Sequence, residues 1–518
     1  MATIKTTAAV EPITADLGAI LRRAAGRFGP KPALVTDDRT LTYEELDQLC
    51  DRVAGGLHQL GVRPGDRVSL YSPNRWEWVV AYHAAFRAGA VLNPINVMLT
   101  AEEVAFVLND CGAAAIITSG DKAETIRGLT RDVPSLRHVI SFDRAGDGIG
   151  WFGDLLASPQ RGPEVAPPEP TDLSTIGYTS GTTGHPKGAM QSHRAVFLNT
   201  AALFAMQTRT DRDVMLNALP LPHVYGNVVM NGTFMAGATL VMLERFDPAL
   251  ALAQIEKHQV TVFDGVPTMY MMMLADPTLT ETDLSSLRMC AVGGQTMPVA
   301  KMQEWESRSG TPLLELWGMT ELGGAGTSNS TYATNVHGSI GVALPGCEAR
   351  IGALDDARVT VPDGEAGELM IRGPFVMLGY YGDEEATRAA IEPDGWLHTG
   401  DVATRDEEGH FFIVDRKKDL IITGGFNVYP AEIERVIASH AAVAMVAVGS
   451  VSDDLRGELA CAYVVLRPGA SAEEAEIIEH CRPHLAAYKL PRSVRFVPDL
   501  PKTSTGKVMR RQLRTFYN

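Results

Sequence analysis

Short apolar runs alternate along this chain with helix-length segments that carry their own start signals. That alternation restricts the fold more than any other feature. RVSLY (67–71), AAAIITS (113–119) and VTVFDGV (260–266) have the length and composition of buried strands. Thr42-Tyr-Glu-Glu45 and Thr100-Ala-Glu-Glu103 each place a hydroxyl three residues before a glutamate, the pattern of a capping box. The first opens a helix that stops at Gly61, and the second opens one that stops at Gly112. Strands alternating with helices lead to an α/β class with parallel sheet.

A weak internal repeat refines this. FRAGAVL (86–92) and FMAGATL (234–240) each follow an aromatic-rich helical stretch, which itself follows a strand. Two related α/β subdomains are expected from it. The 518 residues correspond to about three and a half domain-equivalents, so a single small binding module is not expected and the chain can bury several cores. Residues 158–172 contain five prolines and no helical pattern, which reads as a surface connector. The charged run Asp415-Arg-Lys-Lys-Asp419 separates the apolar runs FFIV and LIIT, and a helical segment follows at Pro430-Ala-Glu-Ile-Glu. A domain boundary is expected there, giving a large unit over 1–415 and a small one over 416–518.

Residues 214–243 contain no Asp, Glu, Lys or Arg, but they include Pro220, Pro222, His223, Gly226 and three asparagines. Buried strands and a helix fit that content better than a membrane span. The net charge of −16 argues against general nucleic-acid affinity. It is uneven, since 488–518 carries eight Lys/Arg against Asp499 alone. Six scattered cysteines with no CxxC pair disfavour a disulfide framework or zinc ribbon and point to a reducing compartment. The first residues have no apolar h-region, so a cytoplasmic protein is expected.

The most informative segment is Tyr178-Thr-Ser-Gly-Thr-Thr-Gly-His-Pro-Lys-Gly188, which follows a strand-like run. Its small and hydroxylated residues can turn backbone N–H groups and hydroxyls toward phosphate oxygens. It is not a Walker A loop, because Gly184 is followed by His-Pro-Lys-Gly. The segment resembles the phosphate loop of the adenylate-forming enzymes, which include acyl- and aryl-CoA synthetases, firefly luciferase and nonribosomal-peptide adenylation domains. Other motifs of that family follow in order: Leu219-Pro-Leu-Pro-His223, Gly293-Gly294, Glu315-Leu-Trp-Gly-Met-Thr-Glu321 and His398-Thr-Gly-Asp401. Asp415-Arg-Lys-Lys-Asp419 with Gly424-Gly425, and Pro501-Lys-Thr-Ser-Thr-Gly-Lys507, complete the set.

The resemblance implies a large N-terminal domain of two related α/β subdomains with a β-barrel-like part, and a small mobile α+β C-terminal domain. It implies ATP, Mg²⁺ and, as co-substrate, CoA. Thr179, Ser180, Gly181, Thr182, Thr183, Gly184 and Lys187 would hold phosphates, and Gly318, Met319 and Thr320 would lie along adenine. Asp401 and Arg416 would hold the ribose, the carboxylate being matched in shape to a vicinal diol. Glu321 would be the Mg²⁺-linked glutamate, consistent with a cation that takes one or two carboxylates plus phosphates and water. Lys507, Glu321, Thr179 and His223 would carry catalysis, with Lys507 contacting the carboxylate and α-phosphate. His223, Tyr225, Gly293, Gly294 and Gln295 would border the acyl group. Lys418 would be the hinge that exchanges Lys507 for Gly424-Gly425, the latter beside a pantetheine channel.

The reaction so implied joins a carboxylate to ATP and passes the acyl group to CoA. An amine or a carrier-protein thiol is an alternative acceptor, because all three share the first half-reaction. No acidic residue in LPHVY matches the one that peptide-synthetase domains use for an amino group, so amino-acid activation is disfavoured. The expected partners are a hydrophobic carboxylic acid, ATP and CoA. No nucleic acid is expected, and peripheral membrane contact and a homodimer are both compatible with the family.

Overall fold

The computed structural model describes residues 15–159, 162–163, 165–179, 186–423, 426–453, 457–501, 508–510 and 512–513. Two strand–helix–strand units dominate its larger part. In the first, the strand Arg67–Tyr71 leads through the helix Trp76–Arg87 to the strand Val91–Pro94. In the second, Val214–Asn217 leads through the helix Val224–Ala236 to Thr239–Met242. In each unit the two strands pair in parallel, with Ser69 opposite Asn93 and Leu216 opposite Val241. The Ala-Gly-Ala repeat is the turn that ends each helix, and Gly89 and Gly237 both take positive φ, +74° and +76°. A Cβ at Gly237 would also lie 2.0 Å from the Phe28 ring, so glycine is required there twice over. The two helices are joined in the interior. Tyr82 donates to Asn227 Oδ1 at 2.9 Å, and Asn231 Nδ2 donates to Tyr82 Oη at 3.0 Å.

Each unit seeds its own large sheet. The first lies in an eight-stranded sheet whose edge carries the hairpin Leu173–Thr179 and Lys187–Ser192 and then the short strand Gly379–Tyr380. The second lies in a nine-stranded sheet that continues in parallel through Val262–Gly265, Met289–Val292 and Leu313–Met319. The chain then turns back antiparallel into Gly324–Ser328. Where a β-barrel-like part is expected, the described residues form an open four-stranded antiparallel sheet of Glu348–Gly352, Gly367–Arg372, Leu397–Arg405 and Phe411–Arg416, whose first and last strands do not pair. Leaving it at Arg416, the chain makes one 3-10 turn, Lys417–Asp419, and enters a separate five-stranded sheet at Ile421. That sheet packs against the helices Pro430–Ala438 and Glu474–Cys481 around its own core of Ile433, Ile437, Val448, Val464 and Ile477. The fold is therefore α/β with a large N-terminal domain and a smaller α+β C-terminal one.

Both capping boxes form. Thr42 Oγ1 accepts from the Glu45 N–H and Glu45 Oε2 from the Thr42 N–H, opening the helix Tyr43–Gln59. Thr100 and Glu103 do the same for Ala101–Asp110. The charge-free stretch 214–243 is the strand–helix–strand unit already described, and no helix among the described residues is long and apolar enough to cross a membrane. All six cysteines are free thiols, and all but Cys347 are buried.

Candidate active site

The parallel strands of the nine-stranded sheet end on one side, and the strand Leu313–Met319 runs on there into the turn Thr320–Leu322. Carboxyl ends of parallel strands are where α/β sheets place ligands, because the connecting loops diverge from them. Gly318 and Met319 are held flat by pairing with Ala325 and Gly324. A Cβ at Gly318 would come within 2.1 Å of the Gly324 carbonyl oxygen, so only glycine allows this pairing. Gly318 itself is exposed and Met319 and Thr320 are partly exposed, leaving a surface for a flat ligand.

Asp401, on the four-stranded sheet, meets this segment. The Trp317 indole N–H donates to Asp401 Oδ2 at 2.7 Å, and Arg416 Nε lies 3.1 Å from Asp401 Oδ1. Arg416 is opposite Asp401 in the antiparallel register, which explains how residues from two separated motifs meet. Behind them sits Glu368, nearly inaccessible. Its Oε1 accepts from the Gly400 N–H at 3.1 Å, while Oε2 accepts from Lys417 Nζ at 2.8 Å and lies 3.2 Å from His398 Nδ1. Burial works to raise the Glu368 pKa, but hydrogen bonds and charge from His398 and Lys417 override it and bring it to about 2. The same pairing, opposed by burial, raises His398 above the usual histidine value.

Glu321 follows in the 3-10 turn Thr320–Leu322, where its carboxylate is buried and accepts from Tyr380 Oη at 2.9 Å. The turn is fixed from two sides. Gln191 Nε2 donates to the Thr320 carbonyl at 2.5 Å, and the Met377 N–H donates to the Glu321 carbonyl at 2.8 Å. Burial pushes the Glu321 pKa up; hydrogen bonds from its own backbone and Tyr380 and the Arg416 charge oppose this, and the Asp401 charge adds to it. An ionised carboxylate there thus favours added positive charge. Among the described residues no three His, Cys, Asp or Glu cluster as a metal cage. A single buried carboxylate of this kind fits Mg²⁺, which takes its remaining ligands from phosphate and water.

The hairpin beside Glu321 carries Thr179 opposite Lys187. Thr179 Oγ1 donates to the Lys187 carbonyl at 3.4 Å. Lys187 Nζ lies 5.3 Å from the centre of the Tyr380 ring and 3.7 Å from Asp383 Oδ2. Ser180, Gly181, Thr182, Thr183 and Gly184, between the two strands, lie outside the described residues. So do Gly424, Gly425 and Lys507. The described residues on either side of the Lys507 segment are tied together, since the Met509 N–H donates to the Pro501 carbonyl at 2.8 Å. Lys418 is exposed in the turn between the two sheets.

Of the residues expected to border the acyl group, His223 caps the helix Val224–Ala236, its Nδ1 accepting from the Tyr225 N–H at 3.2 Å. Tyr225 is buried, and its hydroxyl donates to Asp264 Oδ1 at 3.2 Å. Asp264 is in turn gripped by both terminal nitrogens of Arg209, each at 2.7 Å, in a fully buried pair. Tyr225 is therefore a fixed wall rather than a swinging side chain. Gly293 is buried, and a Cβ there would lie 2.6 Å from Leu316 Cδ1. Gly294 is exposed with φ +86° and Val266 nearby, and Gln295 is partly exposed beside it. Sequence reasoning did not assign Trp317, Tyr380 or Glu368. Trp317 stood inside a quoted motif, and an aromatic there was its only signal. Tyr380 and Glu368 reach the site only through sheet pairing.

The fold and the family models together define the class of protein. Residues 21–381 match the AMP-binding enzyme family, and residues 432–507 match the AMP-binding enzyme C-terminal domain. The chain belongs to the AMP-binding enzyme family. A Mycobacterium tuberculosis 3-[(3aS,4S,7aS)-7a-methyl-1,5-dioxo-octahydro-1H-inden-4-yl]propanoyl:CoA ligase is 40% identical over 96% of this chain and 98% of its own. A Bacillus subtilis long-chain-fatty-acid–CoA ligase is 34% identical over 96% and 94%. Among solved structures, ATP-bound MatB from Rhodopseudomonas palustris superposes with a TM-score of 0.91 at 34% identity, covering 98% of this chain and 99% of that one. The o-succinylbenzoate CoA synthetase MenE of Bacillus subtilis, solved with ATP and magnesium, gives 0.84 at 31% identity over 96% and 99%. This chain is an AMP-forming acid–CoA ligase, acting through an acyl-adenylate.

Proposed function

We propose that this ligase activates a hydrophobic carboxylic acid, fatty or arylalkyl, with Mg²⁺-ATP as the activating substrate and CoA as the acceptor. The observation that carries the site assignment is the Asp401–Arg416 pair of the four-stranded sheet, joined through the Trp317 N–H to the strand that leads into the turn carrying Glu321. The relatives that act on long-chain fatty acids and on a fused-ring propanoyl group support a large apolar acid.

In the first half-reaction a carboxylate oxygen of the acid attacks the α-phosphorus of ATP, forming the acyl–phosphate bond and releasing pyrophosphate. Two anions must approach, so the site cancels charge where it accumulates. Asp401 accepts from the ribose hydroxyls, with Arg416 and the Trp317 N–H fixing its two oxygens. Gly318, Met319 and Thr320 lie along adenine. Thr179 and Lys187, with Ser180, Gly181, Thr182, Thr183 and Gly184, hold the phosphates. Glu321 would hold Mg²⁺, which neutralises phosphate charge when bound, and MenE with ATP and magnesium supports that choice. Lys507 serves the reacting carboxylate and α-phosphate. His223, Tyr225, Gly293, Gly294 and Gln295 border the acyl group.

In the second half-reaction the CoA thiol sulfur bonds to the acyl carbon and AMP leaves with one oxygen of the acid. We assign 1–415 and 416–518 as the two moving bodies, with Lys418 as the pivot and Gly424-Gly425 beside the pantetheine arm. The test of the acid class is a panel of acids supplied with ATP, Mg²⁺ and CoA, with thioesters identified by mass spectrometry. Long-chain or arylalkyl acids should exceed acetate at least tenfold in kcat/KM. A preference for acetate or propionate would overturn the assignment.

A further inference from the structure

Asp415 stands on the N-terminal side of Lys418, yet most of what holds it comes from the other side. Its carboxylate is wholly inaccessible. Oδ1 accepts from Arg510 Nη1 at 2.8 Å and from the Arg416 N–H at 2.7 Å, and Oδ2 accepts from the Ala431 N–H at 2.7 Å. Ala431 lies in the first turn of the helix Pro430–Ala438, so the carboxylate also sits where the helix dipole favours negative charge. Arg510 and Ala431 both belong to the C-terminal domain, whereas Arg416 belongs to the ribose pair.

Arg510 has partners of its own in the small domain. Glu434 takes its Nε and Nη2 at 2.9 and 2.7 Å, and Asp419 lies 3.3 Å from Nη1. If the chain turned at Lys418, Arg510 would keep Glu434 and Asp419, while Asp415 would lose Arg510 and Ala431 and meet water. The contact can therefore open without stranding a buried guanidinium, which is the property a reversible catch requires. It also reaches the chemistry from both ends. Arg510 is three residues beyond Lys507, and Asp415 fixes the backbone N–H of the arginine that faces Asp401.

We propose that Asp415 and Arg510 are positioning residues, a catch across the pivot that holds the C-terminal domain in the orientation described here for one of the two half-reactions. The proposal rests on the assignment of Lys418 as pivot. It requires that loss of the catch act on one half-reaction and not on the other, because only one orientation contains it.

The test uses the full chain and measures the halves separately. Acid-dependent ATP–pyrophosphate exchange reports adenylation, and thioester formation from presynthesised acyl-AMP and CoA reports transfer. Asp415→Asn, which keeps shape and removes charge, should slow one half-reaction at least tenfold and change the other less than twofold. Arg510→Gln should slow the same one, and Arg510→Lys should recover part of the rate. Glu434→Gln, which touches Arg510 only within the small domain, should leave the ratio of the two rates unmoved. Parallel losses in both half-reactions, or no loss in either, would overturn the catch. Lys418→Pro separates this from failure of the pivot. If Lys418→Pro splits the half-reactions while Asp415→Asn does not, the pivot stands and the catch falls. If neither splits them, both fall together.

Discussion

The indole of Trp317 and the carboxylate of Asp401 join two sheets: the N–H donates to Oδ2 at 2.7 Å across 84 residues of chain. One oxygen of Asp401 is set by Trp317 and the other by Arg416, so the direction of the carboxylate is fixed, as the ribose site proposed for it requires. Trp317→Phe removes that donor and leaves most of the apolar surface in place. A hydrogen bond to a charged group contributes about 1.5–3 kcal/mol, so kcat/KM for ATP should fall roughly tenfold to a hundredfold. Initial-rate kinetics at saturating acid and CoA measure this, and an unchanged kcat/KM for ATP would remove Trp317 from the ribose site.

Tyr380 tests the assignment of Glu321. Tyr380→Phe leaves the buried carboxylate without its 2.9 Å side-chain donor. Adenylation should slow about tenfold or more, and the Mg²⁺ concentration for half-maximal rate should move. Transfer from presynthesised acyl-AMP should change little. Titration of Mg²⁺ in the pyrophosphate-exchange assay decides the matter, and equal losses in both half-reactions would count against a role through Glu321.

Glu315 predicts a pH effect on stability. Burial raises its pKa from 4.5 to about 7, against a single opposing hydrogen bond from the Gly338 N–H. Through that window the folded chain keeps a proton that the unfolded chain has lost, so stability falls as pH rises from the lower value to the upper. Above it the ionised side chain costs up to about 3 kcal/mol. Glu315→Gln keeps an acceptor for Gly338 and removes the charge. The variant should melt higher than the parent near pH 8 and about the same near pH 5. A gain confined to the acidic side would reverse the sign and refute the reading. Glu368 runs the other way: its depressed pKa stabilises the fold above the ordinary carboxylate value, and that contribution fades as pH falls toward about 2.

Gly294, proposed to border the acyl group, holds φ +86°, where a side chain is strained whatever the space. Gly294→Ala should cost about 1–2 kcal/mol of stability and raise KM for the longest accepted acids more than for short ones. Melting curves and an acid-length series read both effects. An unchanged length profile would place the acyl group elsewhere.

What the sequence reveals here is what is local. The capping boxes at Thr42 and Thr100 lie within four residues and are complete in the structure. The repeated Ala-Gly-Ala at Gly89 and Gly237 marks two parallel strand–helix–strand units because positive φ after a helix demands glycine. Asp401 and Arg416 could be named as partners from their motifs, but their register opposite one another comes from strand pairing. Tyr380 lies in a two-residue strand whose neighbour is the strand Lys187–Ser192, 59 residues from the glutamate it touches. Glu368 gathers His398, Lys417 and the Gly400 N–H from three separate points of the chain. No periodicity or spacing marks either one, because sheet order creates their contacts.

A carboxylate oxygen of the substrate acid attacks the α-phosphorus, and CoA then displaces AMP from the acyl carbon. Supplying acid labelled with ¹⁸O in both carboxyl oxygens, with ATP, Mg²⁺ and CoA, follows the atoms directly. AMP should acquire one labelled oxygen per turnover, pyrophosphate none, and the thioester should keep the other. Label in pyrophosphate or inorganic phosphate, or AMP formed without label, would contradict the account.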